Sequence, residues 1–205
     1  MIKFESRLND YFDSKNYAVS EIKEPVIRTI GKSVITRCRY GAEVINMPSI
    51  MSIDIDYQLE AKGEEEALRN TVELAEEIAE DSELTLRIYR TFKGLRVIVL
   101  GSEFNPRTYE SDDLMMQFAC DQIYAILCIK QNCFRLRLTP KPERIGISRA
   151  NKYDGSQSWI DQYNSARSSF ASARFLIQIG PDIELPEEVK VHDEMTGSFT
   201  DMPLA

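Results

Sequence analysis

Two aspartates one residue apart, Asp54 and Asp56 in the run Ser52-Ile53-Asp54-Ile55-Asp56-Tyr57, are the side chains best placed by type and spacing to do chemistry. On an extended strand successive side chains alternate faces, so both carboxylates emerge on one side and Ile53, Ile55 and Tyr57 on the other. They then stand roughly 7 Å apart, close enough to share a divalent cation and otherwise mildly repelling. An ordinary half-buried antiparallel strand with its polar face in water shows the same alternation.

Basic residues gather further along. Lys93 and Arg96 flank a turn, and Arg135, Arg137, Lys141, Arg144 and Arg149 follow within a short distance of one another. Arg135 and Arg137 leave one face of a strand, which makes either a phosphate-binding ridge or a solvated basic edge that discourages strand aggregation. Phe92, Tyr89 and Phe134 are candidates to stack on bases, although aromatic residues beside strands usually fill the core. Histidine chemistry rests on His192 alone, in a stretch that reads as a polar tail. Cys38, Cys120, Cys128 and Cys133 lack any C-x-x-C spacing and read as buried reduced thiols rather than zinc ligands. A Walker-type loop, a G-x-G-x-x-G run and a G-x-S-x-G elbow are all missing from the sequence.

The elements that must position these residues follow from periodicity. Phe4 to Ser14 reads as a short amphipathic helix, and Ser33 to Tyr40 as a strand after a turn at Gly31. Glu64 to Glu83 is the clearest helix, with Leu68, Val72, Ala75, Ile78 and Ala79 on one stripe and glutamates in its first turn. Leu84 to Arg90 and Leu95 to Leu100 form a hairpin across Thr91-Phe92-Lys93-Gly94, with glycine supplying a positive φ. Asp112 to about Lys130 reads as one helix, Phe134 to Leu138 as a strand, Trp159 to Arg167 as a helix and Arg174 to Ile179 as a last strand. From about residue 182 the chain is acidic, carries prolines and reads as irregular. The whole, residues 1–205, is expected to be a single α+β domain with a mixed or mainly antiparallel sheet covered by helices.

With 205 residues, 43% apolar and 28% charged, the chain can bury about 70% of its unfolded surface and needs no disulfide or metal to fold. Charges near Met1 and the lack of a long apolar run point to a cytoplasmic protein without a membrane segment. The formal net charge of −8 argues against a surface coated for nucleic acid. That charge is uneven, at −8 over residues 1–86, +6 over 87–152 and −6 over 153–205. A basic middle third suits a phosphate-bearing ligand, or a surface that docks on the acidic thirds.

A D-x-D strand, a helix, and then a strand-turn-strand with K-G-L in the turn resembles the core of the archaeo-eukaryotic primase-polymerase superfamily. The resemblance covers Asp54 to Leu100. It implies that Asp54 and Asp56 bind Mg2+ or Mn2+ for nucleotidyl transfer, and that a K-G-L-H type ending, matched here by Lys93-Gly94-Leu95 followed by Arg96, places its last residue near the incoming nucleotide. Arg96 stands where the family has histidine, and later strands bring no clear third carboxylate, since Asp112, Asp113 and Asp121 lie in or beside a helix. A degenerate site is therefore expected, in which Arg96 can itself neutralise the acids through a bidentate contact. The implied function is nucleotide or single-stranded nucleic-acid binding, with metal-dependent nucleotidyl transfer retained or lost. Lys93, Arg96, Arg135 and Arg137 would be its phosphate contacts. The alternative is a non-enzymatic accessory or protein-interaction domain whose acidic ends face a protein partner.

Overall fold

The computed structural model describes residues 24–57, 63–147 and 156–205, so the helix expected over Phe4 to Ser14 lies outside the described residues. The fold is α+β, with two four-stranded antiparallel sheets in place of the single sheet expected. Strands β1 (Val26–Ile30), β2 (Ser33–Arg37), β3 (Glu43–Met47) and β7 (Phe134–Arg137) form the first, in the order β1-β2-β3-β7. Strands β4 (Met51–Asp56), β5 (Thr85–Thr91), β6 (Gly94–Leu100) and β8 (Ala173–Ile179) form the second, in the order β4-β6-β5-β8.

The alternation of β4 sorts the second sheet into two faces. Ile53 pairs with Val97 and Ile55 with Leu95, while Asp54 pairs with Arg96 and Asp56 with Gly94. The apolar face, with Ile53, Ile55, Leu86, Ile88, Val97 and Val99, packs against helices. Helix α1 (Glu64–Glu80) contributes Ala75, with Leu68, Val72 and Ile78 beside it. Three glutamates in its first turn complement the positive end of the helix. Ser82 donates its hydroxyl to the carbonyl of Ile78, and the helix stops short of the expected Glu83.

The helix expected over Asp112 to Lys130 is two helices, α2 (Tyr109–Gln117) and α3 (Gln122–Gln131). Ala119 sits at φ 51°, and the Cys120 N–H reaches the carbonyl of Met115 while the Ala119 N–H reaches Met116. That paired bonding is a Schellman stop built on alanine, where glycine is usual. Asp121 then caps α3 by accepting from the N–H of Tyr124 at 2.7 Å, and its own N–H donates to the carbonyl of Asp54 at 2.7 Å. The start of α3 is thereby tied to the back of the aspartate strand.

The other face of the second sheet meets the first. Tyr89, Ile98 and Leu100 share a core with Ile35, Ile45, Met47, Leu136 and Leu138. Val189 and Val191 complete it, and they come from the stretch expected to be irregular. Residues Glu187–Thr196 form helix α5, entered at Pro186 and ended by Gly197 at φ 69°, with Val189, Val191, His192, Asp193 and Thr196 buried. Two of the acids that suggested a tail, Glu187 and Glu188, sit in the first turn of this helix, where the helix dipole favours them. Helix α4 (Gln157–Arg167) stacks Trp159 on Tyr163, and the Tyr163 hydroxyl donates to the carbonyl of Pro140 at 2.6 Å. This pins the segment from Thr139 that leads into the 3-10 helix Pro142–Ile145.

Candidate ligand-binding cleft

Where the aspartate face of β4 leaves the inter-sheet core, a cleft of about 240 Å³ opens. One wall is Asp54 and Asp56; the floor is the β5–β6 turn, through Thr91, Lys93 and Gly94. The facing wall is Arg137 at the end of β7, then Lys141 and Arg144. The lining is almost wholly polar and carries four cations against two carboxylates.

Gly94 is needed here for room. Its φ is not positive, contrary to the expectation for the turn; instead a Cβ built on it would meet the carbonyl oxygen of Ile55 at 1.8 Å. The Tyr57 N–H donates to the carbonyl of Lys93 at 3.2 Å, so β4 lies directly across the turn. No side chain fits between them.

Of the basic residues singled out from sequence, Arg149 lies outside the described residues and the others are divided by the fold. Lys93 and Arg137 line the cleft, whereas Arg135 turns away to an ion pair with Glu24 at 2.7 Å and a hydrogen bond to Gln131 at 3.1 Å. Arg96 lies beside Asp54 but beneath the surface, 3% exposed. Its Nη1 donates to the carbonyl of Arg137 and to Nε2 of His192, both at 3.1 Å. Asp54 reaches it as a neighbouring charge that favours the guanidinium, against a burial that lowers its pKa. Of the aromatic candidates, Tyr89 and Phe134 are buried and Phe92 is half exposed with Arg144 stacked 4.3 Å over its ring.

The sequence reading missed a polar seam that runs inward from the cleft between the sheets. Because arginine only donates, His192 Nε2 must accept from Arg96, and the ring proton sits on Nδ1, donated to Asp193 Oδ1 at 3.0 Å. Asp193 Oδ2 accepts from Arg87 at 2.7 Å, and Arg87 also donates to Tyr89 and Gln178. Burial, aided by the charges of Arg96 and Arg87, pushes the His192 pKa down to about 4, against the pull of Asp193. The unfolded chain therefore takes up a proton near pH 6.5 that the folded chain refuses until about 4. Stability is expected to fall as pH drops through that window, by about 3 kcal/mol from this group. Urea melts from pH 7.5 to 4 test this, and His192→Gln should show a shallower slope than the parent.

Asp121 is a third acid near the pair. Burial and then the charges of Asp54 and Asp56 raise its pKa, against the Tyr124 N–H bond that lowers it. Among the described residues no three His, Cys, Asp or Glu side chains gather as a metal-binding group. The four cysteines are free thiols whose pKa values burial raises. No described helix is long and apolar enough to cross a membrane. Comparisons of this chain with protein-family models, with curated proteins and with solved structures gave no match.

Proposed function

We propose that the cleft binds a phosphate-bearing ligand, a nucleotide or a short single strand, in a primase-polymerase-like domain. One observation carries this reading: the D-x-D pair, the Lys93-Gly94 turn and the basic segment from Arg137 to Arg144 come from distant parts of the chain and face one polar cleft. Two carboxylates suit one Mg2+ or Mn2+ ion, which takes its remaining ligands from water and phosphate. When bound, such an ion would neutralise phosphate oxygens and supply the Lewis acidity of nucleotidyl transfer. Asp54 and Asp56 would hold it, while Lys93 and Lys141 bring positive charge to the rest of the phosphate chain.

Calorimetry with nucleoside triphosphates and short single strands, with and without manganese, tests the proposal. Binding should be manganese-dependent, should raise the melting midpoint by mass action and should weaken with salt. Asp56→Asn and Asp54→Ala are expected to reduce it at least tenfold; unchanged affinity would remove the metal role.

A second reading, a protein-interaction domain on the same scaffold, draws on β1, an edge strand among the described residues. There Val26 is 62% and Ile27 45% exposed, an apolar edge of the kind a partner strand can extend.

A further inference from the structure

Arg137 and Arg144 stand side by side in one wall of the cleft, close enough that the charge of Arg137, after burial, further lowers the pKa of Arg144. Arg137 Nε and Arg144 Nη1 are shielded from solvent, yet neither has a hydrogen-bond partner among the described residues. A buried donor without an acceptor costs about 1–3 kcal/mol, and two on neighbouring like charges is an arrangement that folding alone does not favour. Both side chains are nevertheless held in place. Arg144 is fixed over Phe92 and seated on the 3-10 helix, whose preceding segment Tyr163 pins through Pro140. Arg137 has its backbone carbonyl held by Arg96, and its guanidinium reaches the Tyr40 hydroxyl. The Tyr40 hydroxyl touches Arg137, the charges of Glu143 and Asp54 act on Arg144, and both arginines line the cleft.

We infer that Arg137 and Arg144 form a clamp for a phosphate or diphosphate group that works without a metal ion, as a second subsite opposite Asp54 and Asp56. Guanidinium forks match phosphate oxygens in geometry, and both arginines line the same cleft. The inference rests on the reading above only in taking the cleft's ligand to carry phosphate.

The test is calorimetry of the full chain with inorganic pyrophosphate in the presence of a chelator. Saturable, salt-sensitive binding is expected, weakened about tenfold or more in Arg144→Gln and less in Arg137→Lys. Thermal melts of the variants separate loss of the clamp from loss of the fold. No saturable binding in chelator, or equal binding by a folded Arg144→Gln, overturns the clamp. Pyrophosphate binding without manganese-dependent nucleotide binding keeps the clamp and removes the cation at Asp54 and Asp56; the reverse removes the clamp alone. A nucleoside diphosphate that binds tighter than pyrophosphate, with the gain lost in Phe92→Ala, supports the clamp with a nucleotide as the source of the phosphate. Equal binding supports it with free polyphosphate.

Discussion

Replacing Asp193 by alanine is expected to remove about 3–5 kcal/mol of folding stability, the cost of stripping one partner from a buried ion pair. The carboxylate is 7% exposed and takes one hydrogen bond per oxygen, from the Arg87 guanidinium and from the His192 ring. Without it, Arg87 keeps its contacts to Tyr89 and Gln178 but remains a charge, 5% exposed, with no anion to balance it. His192 loses the acceptor that orients it and, with that, its grip on Arg96. A domain's whole stability is about 5–15 kcal/mol, so urea denaturation should find the variant at the edge of folding at 25 °C. Asp193→Asn keeps an acceptor oxygen for one neighbour and should lie between the two. A melt within 1 kcal/mol of the parent for the alanine variant would show that the seam does not hold the sheets and α5 together.

The second large effect is expected from Gly94→Ala. A methyl group there has to displace the Ile55 carbonyl from 1.8 Å to beyond about 3 Å, and main chain yields only if β4 moves as a unit. The expected cost is about 3 kcal/mol or more, seen as a fall in melting midpoint of about 10 °C for a chain of this size. Asp54 and Asp56 ride on the displaced strand, so ligand binding should weaken further than stability alone explains. A variant as stable as the parent would mean that the two strands have room to separate at the turn.

What could be read in the sequence was what local pattern dictates. The aspartate strand and the hairpin that follows show alternation and a short polar turn, and both fall within a residue or two of their expected places. The reason for Gly94 was not readable, because its constraint comes from a strand some forty residues earlier. The break between α2 and α3 escaped notice because the left-handed residue that ends a helix is usually glycine and here is Ala119. Helix α5 is different, since its signals are present: Pro186 at the entry, two glutamates in the first turn and Gly197 past the end. They were outweighed by the stretch's acidity and prolines, which also describe a tail. At the site, the aspartate pair and the basic run were legible by composition. Which arginines enter the cleft was not, because Glu24 draws Arg135 aside and His192, at the far end of the chain, engages Arg96 below the surface.

Each sheet takes its final strand from late in the chain: β3 waits for β7, and β5 waits for β8. Joining partners so far apart in sequence spends chain freedom before any contact rewards it, which makes this topology a slow folder beside helical proteins of equal length. The opposing walls of the cleft belong to different sheets, so a half-built molecule has nothing for a phosphate to occupy. Ligand supplied during refolding should therefore leave the early phases untouched and act only on the last step.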